Sequence, residues 1–237
     1  MTKPNQLRYM AIAAMFSAII ILLAFTPLGF IPLPFMRATT VHIPVIIGSI
    51  FLGPKYGAFL GLLFGLTSFY NNTVIPLPTS FVFSPFVPVP GTGQGNPLAL
   101  IVVFVPRILV GVVPWYVNKG LKKLSLPTCE QTDEAQSEET QLSWQEKLKR
   151  FFSQPSVSYT LSGVAGSLTN TLLVMHFIFL FFREPWAAAR STEPVHNIYM
   201  VILSIIAING IPEAIVAGIL VAAIGLALGL GFRRMQG

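Results

Sequence analysis

Long apolar segments, separated by short polar or proline-rich breaks, make up most of this chain. Six of them are predicted to be helical, with approximate bounds at residues 9–26, 41–53, 56–71, 98–118, 157–182 and 198–231. A straight helix needs about 20 apolar residues to cross a bilayer, so the second segment is short for a span and must be buried by its neighbours or begin below the surface. We therefore predict one all-α membrane domain, residues 1–237, formed by a compact bundle of six transmembrane helices with long proline-rich outer loops.

The composition restricts the class of protein. Of the 237 residues, 53% are hydrophobic and only 10% are charged, and the mean hydropathy is +0.70. Soluble domains carry about a quarter charged residues, so a polytopic membrane protein is indicated. The net charge of +6 requires no nucleic-acid partner, because the basic residues cluster in loops next to the bilayer. Cys129 is the single cysteine, which excludes an intrachain disulfide.

Lysine and arginine are divided unequally between the two sets of loops. Eleven of the fifteen, including every lysine, lie in the N-terminus, the turn after residue 52, the loop 119–156 and the C-terminus. The opposite loops hold Arg37, Arg183 and Arg190. Because positive residues stay on the inner side of a membrane, we predict a multi-pass cell-membrane protein with both termini cytoplasmic.

Two proline-rich segments are predicted to lie on the outer side. Thr26 to Pro44 reads TPLGFIPLPFMRATTVHIP, and Asn71 to Pro97 contains a second IPLP. Proline lacks an amide hydrogen and fixes its own φ, so both segments are predicted to be non-helical. Since one helical hairpin separates them, they are expected to meet over one pocket. Thr39 and Thr40 stand where the N-cap of the next helix is predicted, and a helix N-terminus attracts anions.

Ionisable side chains at membrane depth are candidates for function. Arg107 and Glu213 are predicted near mid-span on the fourth and sixth helices. Either the two pair and hold the bundle together, or Arg107 binds a ligand carboxylate; the sequence leaves both open. Asn170 and Asn209 lie at similar depth, where they could bind a ligand or join helices. The full set of predicted substrate-binding residues is Arg37, Thr39, Thr40, His42, Asn71, Asn72, Phe83, Arg107, Asn170 and Asn209.

Patterns typical of catalysis or metal binding are missing from the sequence. There is no G-x-x-x-x-G-K-[ST], so the chain is not expected to hydrolyse ATP itself. No nucleophile, base and orienting acid can be assembled inside the bundle. His42 and His176 have no second histidine or acid at metal-ligand spacing. We therefore expect no enzyme activity, no cofactor and no metal.

Small residues at four-residue spacing predict close helix packing in two places. Gly57, Gly61 and Gly65 form such a stripe on the third helix. Ala14 and Ala18 form an AxxxA pattern on the first. The second pattern allows close approach of another helix, either from within the chain or from a partner subunit.

Taken in order, these motifs resemble those of a known family. They are similar to those of the substrate-binding S component of an energy-coupling factor (ECF) vitamin transporter. The motifs that carry the resemblance are the AxxxA, the loop TPLGFIPLPFMRATTVHIP, then IIGSIFLGPKYGAFLGLLFGLTSF, SFVFSPFVPVPG, PRILVG at Pro106 to Gly111 and NGIPEAIVAGIL at Asn209 to Leu220. The resemblance covers nearly the whole chain except an acidic insertion around residues 128–146.

This resemblance implies a function and partners. An S component binds a water-soluble vitamin at the outer face and works with a transmembrane coupling (T) subunit and two ATPase subunits. Ala14 and Ala18 would then belong to the docking face for the coupling subunit, and the host would be a Gram-positive bacterium. The loops are most similar to the pantothenate-specific branch, with folate or hydroxymethylpyrimidine as alternatives. A stand-alone secondary transporter of a small organic anion is the alternative of another class.

Overall fold

A computed structural model of the protein describes residues 3–32, 37–124, 154–189 and 198–234, together with Trp144 and Phe151. The helices are α1 (Lys3–Ala24), α2 (His42–Leu52), α3 (Pro54–Val74), α4 (Ala99–Val110), α5 (Val113–Leu124), α6 (Pro155–Ala189), α7 (Ile198–Ile205) and α8 (Ile211–Arg234). A π-helical turn, Ile206–Gly210, joins α7 to α8. The strands β1 (Phe30–Pro32) and β2 (Arg37–Thr39) form a short antiparallel hairpin between α1 and α2. The predicted all-α membrane bundle is confirmed, with this hairpin as a small addition.

Helix length and composition suit a membrane. In the part of the chain that the structure describes, four helical stretches are long and apolar enough to cross one: Gln6–Ala24, Ala99–Lys123, Pro155–Ala189 and Met200–Gly229. α2 is a shorter apolar helix that is buried from His42 to Ser49. A helix enclosed by others satisfies its own backbone without having to span the lipid, which explains how so short a segment is accommodated.

Several predicted boundaries differ from the structure, among them the start of α1 at Lys3 instead of residue 9 and the end of α6 at Ala189 instead of residue 182. The fourth predicted segment is two helices, α4 and α5, separated by a turn at Gly111 and Val112, and α5 continues to Leu124. The second proline-rich segment starts later than predicted, because α3 continues through Asn71 to Val74. Pro76 then ends the helix, since the residue before a proline is disfavoured in the helical conformation. The sequence near Trp144 to Phe152 also predicts a short surface helix, and this stretch lies almost entirely outside the described residues.

Aromatic contacts show which helix ends lie together. Tyr9 of α1 stacks on Tyr56 of α3, with ring centroids 6.3 Å apart. At the start of α6, the ring of Tyr159 lies 5.8 Å from that of Phe51 and 5.9 Å from Nζ of Lys122. We call this side, with the lysines of α5, the basic end. The opposite side, which carries the β1–β2 hairpin (the first loop) and residues 75–98 (the second loop), is the loop end.

α3 and α4 approach each other closely along the glycine stripe. A Cβ built on Gly57 would lie 1.9 Å from the carbonyl oxygen of Gly111, and one built on Gly61 would lie 2.3 Å from that of Arg107. On Gly65 it would lie 2.8 Å from an aromatic ring of α4. The prediction of a packing seam on this helix is therefore confirmed. The seam places the backbone of Arg107 directly against α3.

Candidate ligand-binding site

Arg107 lies inside the bundle, and only 4% of it is exposed. Its Nη1 donates to the carbonyl oxygen of Val102 at 2.9 Å, and its Nη2 lies 3.5 Å from Oγ of Ser68 on α3. In a regular helix the carbonyl of Val102 would accept from residue 106, but Pro106 has no amide hydrogen. The guanidinium therefore replaces a hydrogen bond that the preceding proline removes.

Aromatic rings flank the same guanidinium. Its Cζ lies 4.9 Å from the ring centroid of Phe83 in the second loop and 5.6 Å from that of Phe64 on α3. The faces of aromatic rings attract cations, more strongly where water is excluded. The Nε of Arg107 is buried and has no hydrogen-bond partner among the described residues. Arg107 and Phe83, both in the predicted set, are thus brought together.

Glu213 lies in the first turn of α8 and holds the first loop. Its Oε1 accepts hydrogen bonds from the amide nitrogen of Thr39 at 3.3 Å and from Thr39 Oγ1 at 2.9 Å. Nδ1 of His42, at the start of α2, lies 3.6 Å from the same oxygen. His42 is 1% exposed, and its Nε2 has no partner in the described part of the chain. Glu213 therefore connects β2 and α2 to α8.

No ion pair joins Arg107 and Glu213 in the described structure. The carboxylate contacts Thr39 and His42, whereas the guanidinium contacts a backbone carbonyl and a serine. The arrangement in which this pair directly holds the bundle together is thus not observed, because each charge has its own neutral partners.

The prediction that Thr39 and Thr40 cap α2 is wrong. Val41 occupies the N-cap position, and no side chain bonds to the end of the helix. β2 extends through Thr39, so the helix begins later in the sequence than predicted. The hydroxyl of Thr39 donates its hydrogen bond to the carboxylate of Glu213 and not to the end of the helix. The hydroxyl of Thr40 donates to the carbonyl oxygen of Leu28. Both threonines therefore hold the first loop in place.

Asn71 and Asn72 support the two loops from α3. Nδ2 of Asn71 donates at 3.0 Å to the carbonyl oxygen of Ala24, where α1 ends. Nδ2 of Asn72 donates at 2.8 Å to the carbonyl oxygen of Ser68, and its Oδ1 accepts from Oγ of Ser80 at 2.7 Å. These amides are bonded within the protein, so their contact with a ligand stays a prediction.

Comparison with known proteins identifies the family. Residues 8–225 match the family described as ECF transporter, substrate-specific component. The chain belongs to this family. It is 37% identical over 228 residues to the pantothenic acid transporter PanT of Lactococcus lactis subsp. cremoris strain MG1363, which covers 95% of this chain and 96% of that protein. It is 28% identical over 228 residues to the pantothenate transporter PanT of Leuconostoc mesenteroides, with coverages of 93% and 92%.

The resemblance found in the sequence is therefore confirmed, and with it a multi-pass membrane protein that takes part in vitamin uptake. The family and the two relatives are transporters, not enzymes. In this ECF substrate-specific component, no group of three His, Cys, Asp or Glu side chains within the described ranges could hold a metal ion.

Two further predicted residues of this substrate-specific component lie on α6 and in the π turn before α8. Asn170 is 7% exposed, and its Oδ1 has no partner among the residues described. Asn209 lies in the π turn, whose last residue, Gly210, packs against Thr171. Asn170 and Asn209 are therefore each one residue away in the sequence from the contact between Thr171 and Gly210. Arg37 pairs with Pro32 in the hairpin backbone, and its side chain is outside the described part.

Sequence reasoning missed Phe64 and Ser68 as neighbours of Arg107. With Asn72 they are spaced four residues apart, so they lie on one face of α3, next to the glycine stripe. That spacing was the available signal. A second signal was the dipeptide Pro106-Arg107, in which a residue that removes a hydrogen bond is followed by one able to replace it.

The AxxxA pattern of this substrate-specific component faces away from the bundle. The inward side of α1 is formed by Ala13, Phe16 and Ile20, none of which is more than 5% exposed. Ala14 and Ala18 lie on the exposed side of the same helix. Within the described residues, these two alanines therefore do not pack against another helix of the chain.

Proposed function

We propose that this chain is the S component that captures pantothenate at the outer face of the cell membrane, for uptake driven by ATP hydrolysis on two separate ATPase subunits through a coupling (T) subunit. The observation that carries the ligand class is the buried guanidinium of Arg107, with its unpartnered Nε, beside Phe83 of the second loop. A carboxylate is a favourable partner for a buried guanidinium. The names of the two relatives support pantothenate, which has one carboxylate, two hydroxyls and an amide.

In this proposal the basic end faces the cytoplasm of a Gram-positive host, and the loop end faces outward. The exposed lysines of α5, Lys119, Lys122 and Lys123, support this orientation, as does the position of the N-terminal part of α1 at the same end. Both termini are then cytoplasmic, and the two loops lie where a ligand arrives from outside.

Calorimetric titration of the purified chain with pantothenate, folate and hydroxymethylpyrimidine tests the proposed ligand. We expect saturable one-site binding of pantothenate, and binding of the other two weaker by about a hundredfold or more, because a site built around polar ligand groups rejects molecules that lack them. The variant Arg183→Gln, which changes an arginine that is 59% exposed, should titrate as the unmodified protein does. Tighter binding of folate or of the pyrimidine would contradict the assignment.

Ala14 and Ala18 are proposed as the docking face for the coupling subunit. The double variant Ala14→Trp, Ala18→Trp should lose pantothenate uptake in vesicles that contain the complete transporter, because large side chains prevent close helix approach. Ligand binding by the isolated chain should be unchanged, since both residues face away from the bundle.

A matched control for that variant is Ile215→Trp, Ile219→Trp on α8. These isoleucines have the same four-residue spacing and are 55% and 60% exposed. The control should retain uptake and should co-purify with the coupling subunit, whereas the alanine variant should not. Normal uptake by the alanine variant would remove this docking face from the proposal.

A further inference from the structure

We infer that Arg107 and Glu213 form opposite ends of one ligand site, in which the guanidinium binds the ligand's carboxylate and the carboxylate of Glu213 accepts hydrogen bonds from its hydroxyl groups. The inference rests on the proposed function and adds the direction in which the ligand lies. Its acid end points to α4, and its hydroxyl-bearing end points to α8. Glu213 is then a residue that determines specificity.

The first support is the arrangement of the two charges. Arg107 is buried and the Glu213 side chain is 18% exposed, each is held by other groups, and the two form no ion pair within the described residues. They lie on α4 and α8, which both pack against α2 and α6. Buried charges are costly when they are incompletely compensated. A ligand with a negative end and a hydrogen-bond-donating end would compensate both charges at once.

The second support is the way in which Glu213 is bonded. Its described contacts, two from Thr39 and one from His42, all end on Oε1. Oε2 makes no hydrogen bond or ion pair with the described residues, and the side chain is 18% exposed. An ionised carboxylate can accept about four hydrogen bonds. Glu213 is therefore fixed in place by one oxygen while the other can accept donors from a ligand.

The third support is a set of buried polar atoms without partners. Nε2 of His42, Nε of Arg107 and Oδ1 of Asn170 have no hydrogen-bond partner in the described part of the chain, and the three residues are 1%, 4% and 7% exposed. They lie on α2, α4 and α6; α2 and α6 both pack against α4 and α8, which carry Arg107 and Glu213. Native proteins leave few buried polar atoms unpaired, so these three atoms indicate a polar ligand.

This geometry selects a chemical class. It favours a monocarboxylate that carries hydroxyl or amide donors at its far end, which is the chemistry of pantothenate. A dicarboxylate would place its second charge against Glu213, and such like-charge contacts reject unsuitable ligands.

Substitution of both protein and ligand tests the inference. The variants Glu213→Gln and Arg107→Gln are titrated with three molecules. These are pantothenate, the analogue in which an alcohol group replaces the carboxylate (the alcohol), and the analogue that lacks both hydroxyls. Glu213→Gln should weaken pantothenate binding about tenfold to a hundredfold but leave binding of the analogue without hydroxyls unchanged. Arg107→Gln should weaken pantothenate binding and leave the alcohol unchanged.

Surface variants and a loop variant serve as controls. Glu184→Gln and Arg183→Gln change a pair that is 68% and 59% exposed, and neither should change any titration. Thr39→Val removes a hydroxyl bond between the first loop and Glu213 and should weaken all three ligands equally. If Glu213→Gln does not purify as a folded protein, Glu213→Asp keeps the charge with a shorter reach and should weaken pantothenate more than the analogue without hydroxyls, beyond the equal loss that Thr39→Val causes.

The outcomes are distinguishable. If Glu213→Gln weakens pantothenate and the analogue without hydroxyls equally, as Thr39→Val does, Glu213 only holds the loop and the inference is overturned. If the sensitivities are exchanged, so that Glu213→Gln leaves binding of the alcohol unchanged and Arg107→Gln leaves binding of the analogue without hydroxyls unchanged, the direction is wrong. If the unmodified, folded protein binds none of the three molecules, the proposed function itself fails.

Discussion

Arg107→Ala is expected to weaken ligand binding by about a hundredfold or more and to destabilise the protein. Removing the guanidinium takes away the group proposed to bind the ligand carboxylate, and hydrogen bonds to charged groups are among the strongest. It also leaves the carbonyl of Val102 unbonded in the interior, which costs about 1–3 kcal/mol. Calorimetric titration and thermal unfolding in detergent measure the two effects. A folded variant with unchanged affinity would contradict both roles of Arg107.

Pro106→Ala separates these two roles. Alanine restores the backbone amide that can donate to the carbonyl of Val102, so the double variant Pro106→Ala, Arg107→Ala should recover part of the lost stability. It should not recover ligand affinity, because the guanidinium is still missing. Recovery of affinity would mean that Arg107 acts on binding only by supporting α4.

Gly57→Leu is expected to have the largest effect on folding. A Cβ at this position would lie 1.9 Å from the carbonyl oxygen of Gly111, so backbone would have to move to make room. Overpacking a well-packed core costs about 1–3 kcal/mol, and contact with backbone is less easily relieved than contact with a side chain. We expect little folded protein after purification and a lowered Tm for what remains.

Gly120→Leu is the matched control for that substitution. Gly120 lies on α5, and a Cβ there would meet nothing within 4 Å. The control should purify in normal yield and unfold at nearly the same temperature as the unmodified chain. Equal losses in the two variants would show that leucine disturbs membrane insertion in general and not the α3–α4 seam.

The helical bundle was predictable because apolar length alone determines which segments can enter a membrane. The glycine stripe of α3 was predictable for a similar reason, since it depends on spacing along one helix. The boundaries were less accurate where three-dimensional contacts determine them. α3 continues through Asn71 and Asn72, whose side chains bond to the end of α1 and to the second loop, and neither bond can be read from local sequence.

The candidate site shows the same division. Arg107 was recognisable as a charge at membrane depth, and its contact with Phe83 joins two residues of the predicted set. Its hydrogen-bond partners were not recognisable from the sequence, because they depend on how α3 and α4 face each other. Glu213 was recognised as a buried charge, but the sequence could not show that a loop far away in the chain, at Thr39, reaches it.

The two loops are attached in different ways. The second loop bonds back to the helix that it follows, through Ser80 to Asn72 at 2.7 Å and Ser84 to Thr73 at 2.8 Å. The first loop is bonded instead to Glu213, on a helix far away in the sequence. A small rotation of α8 would thus break the hydrogen bonds that hold Thr39, while those of the second loop would stay in place. The two loops could then open independently of each other.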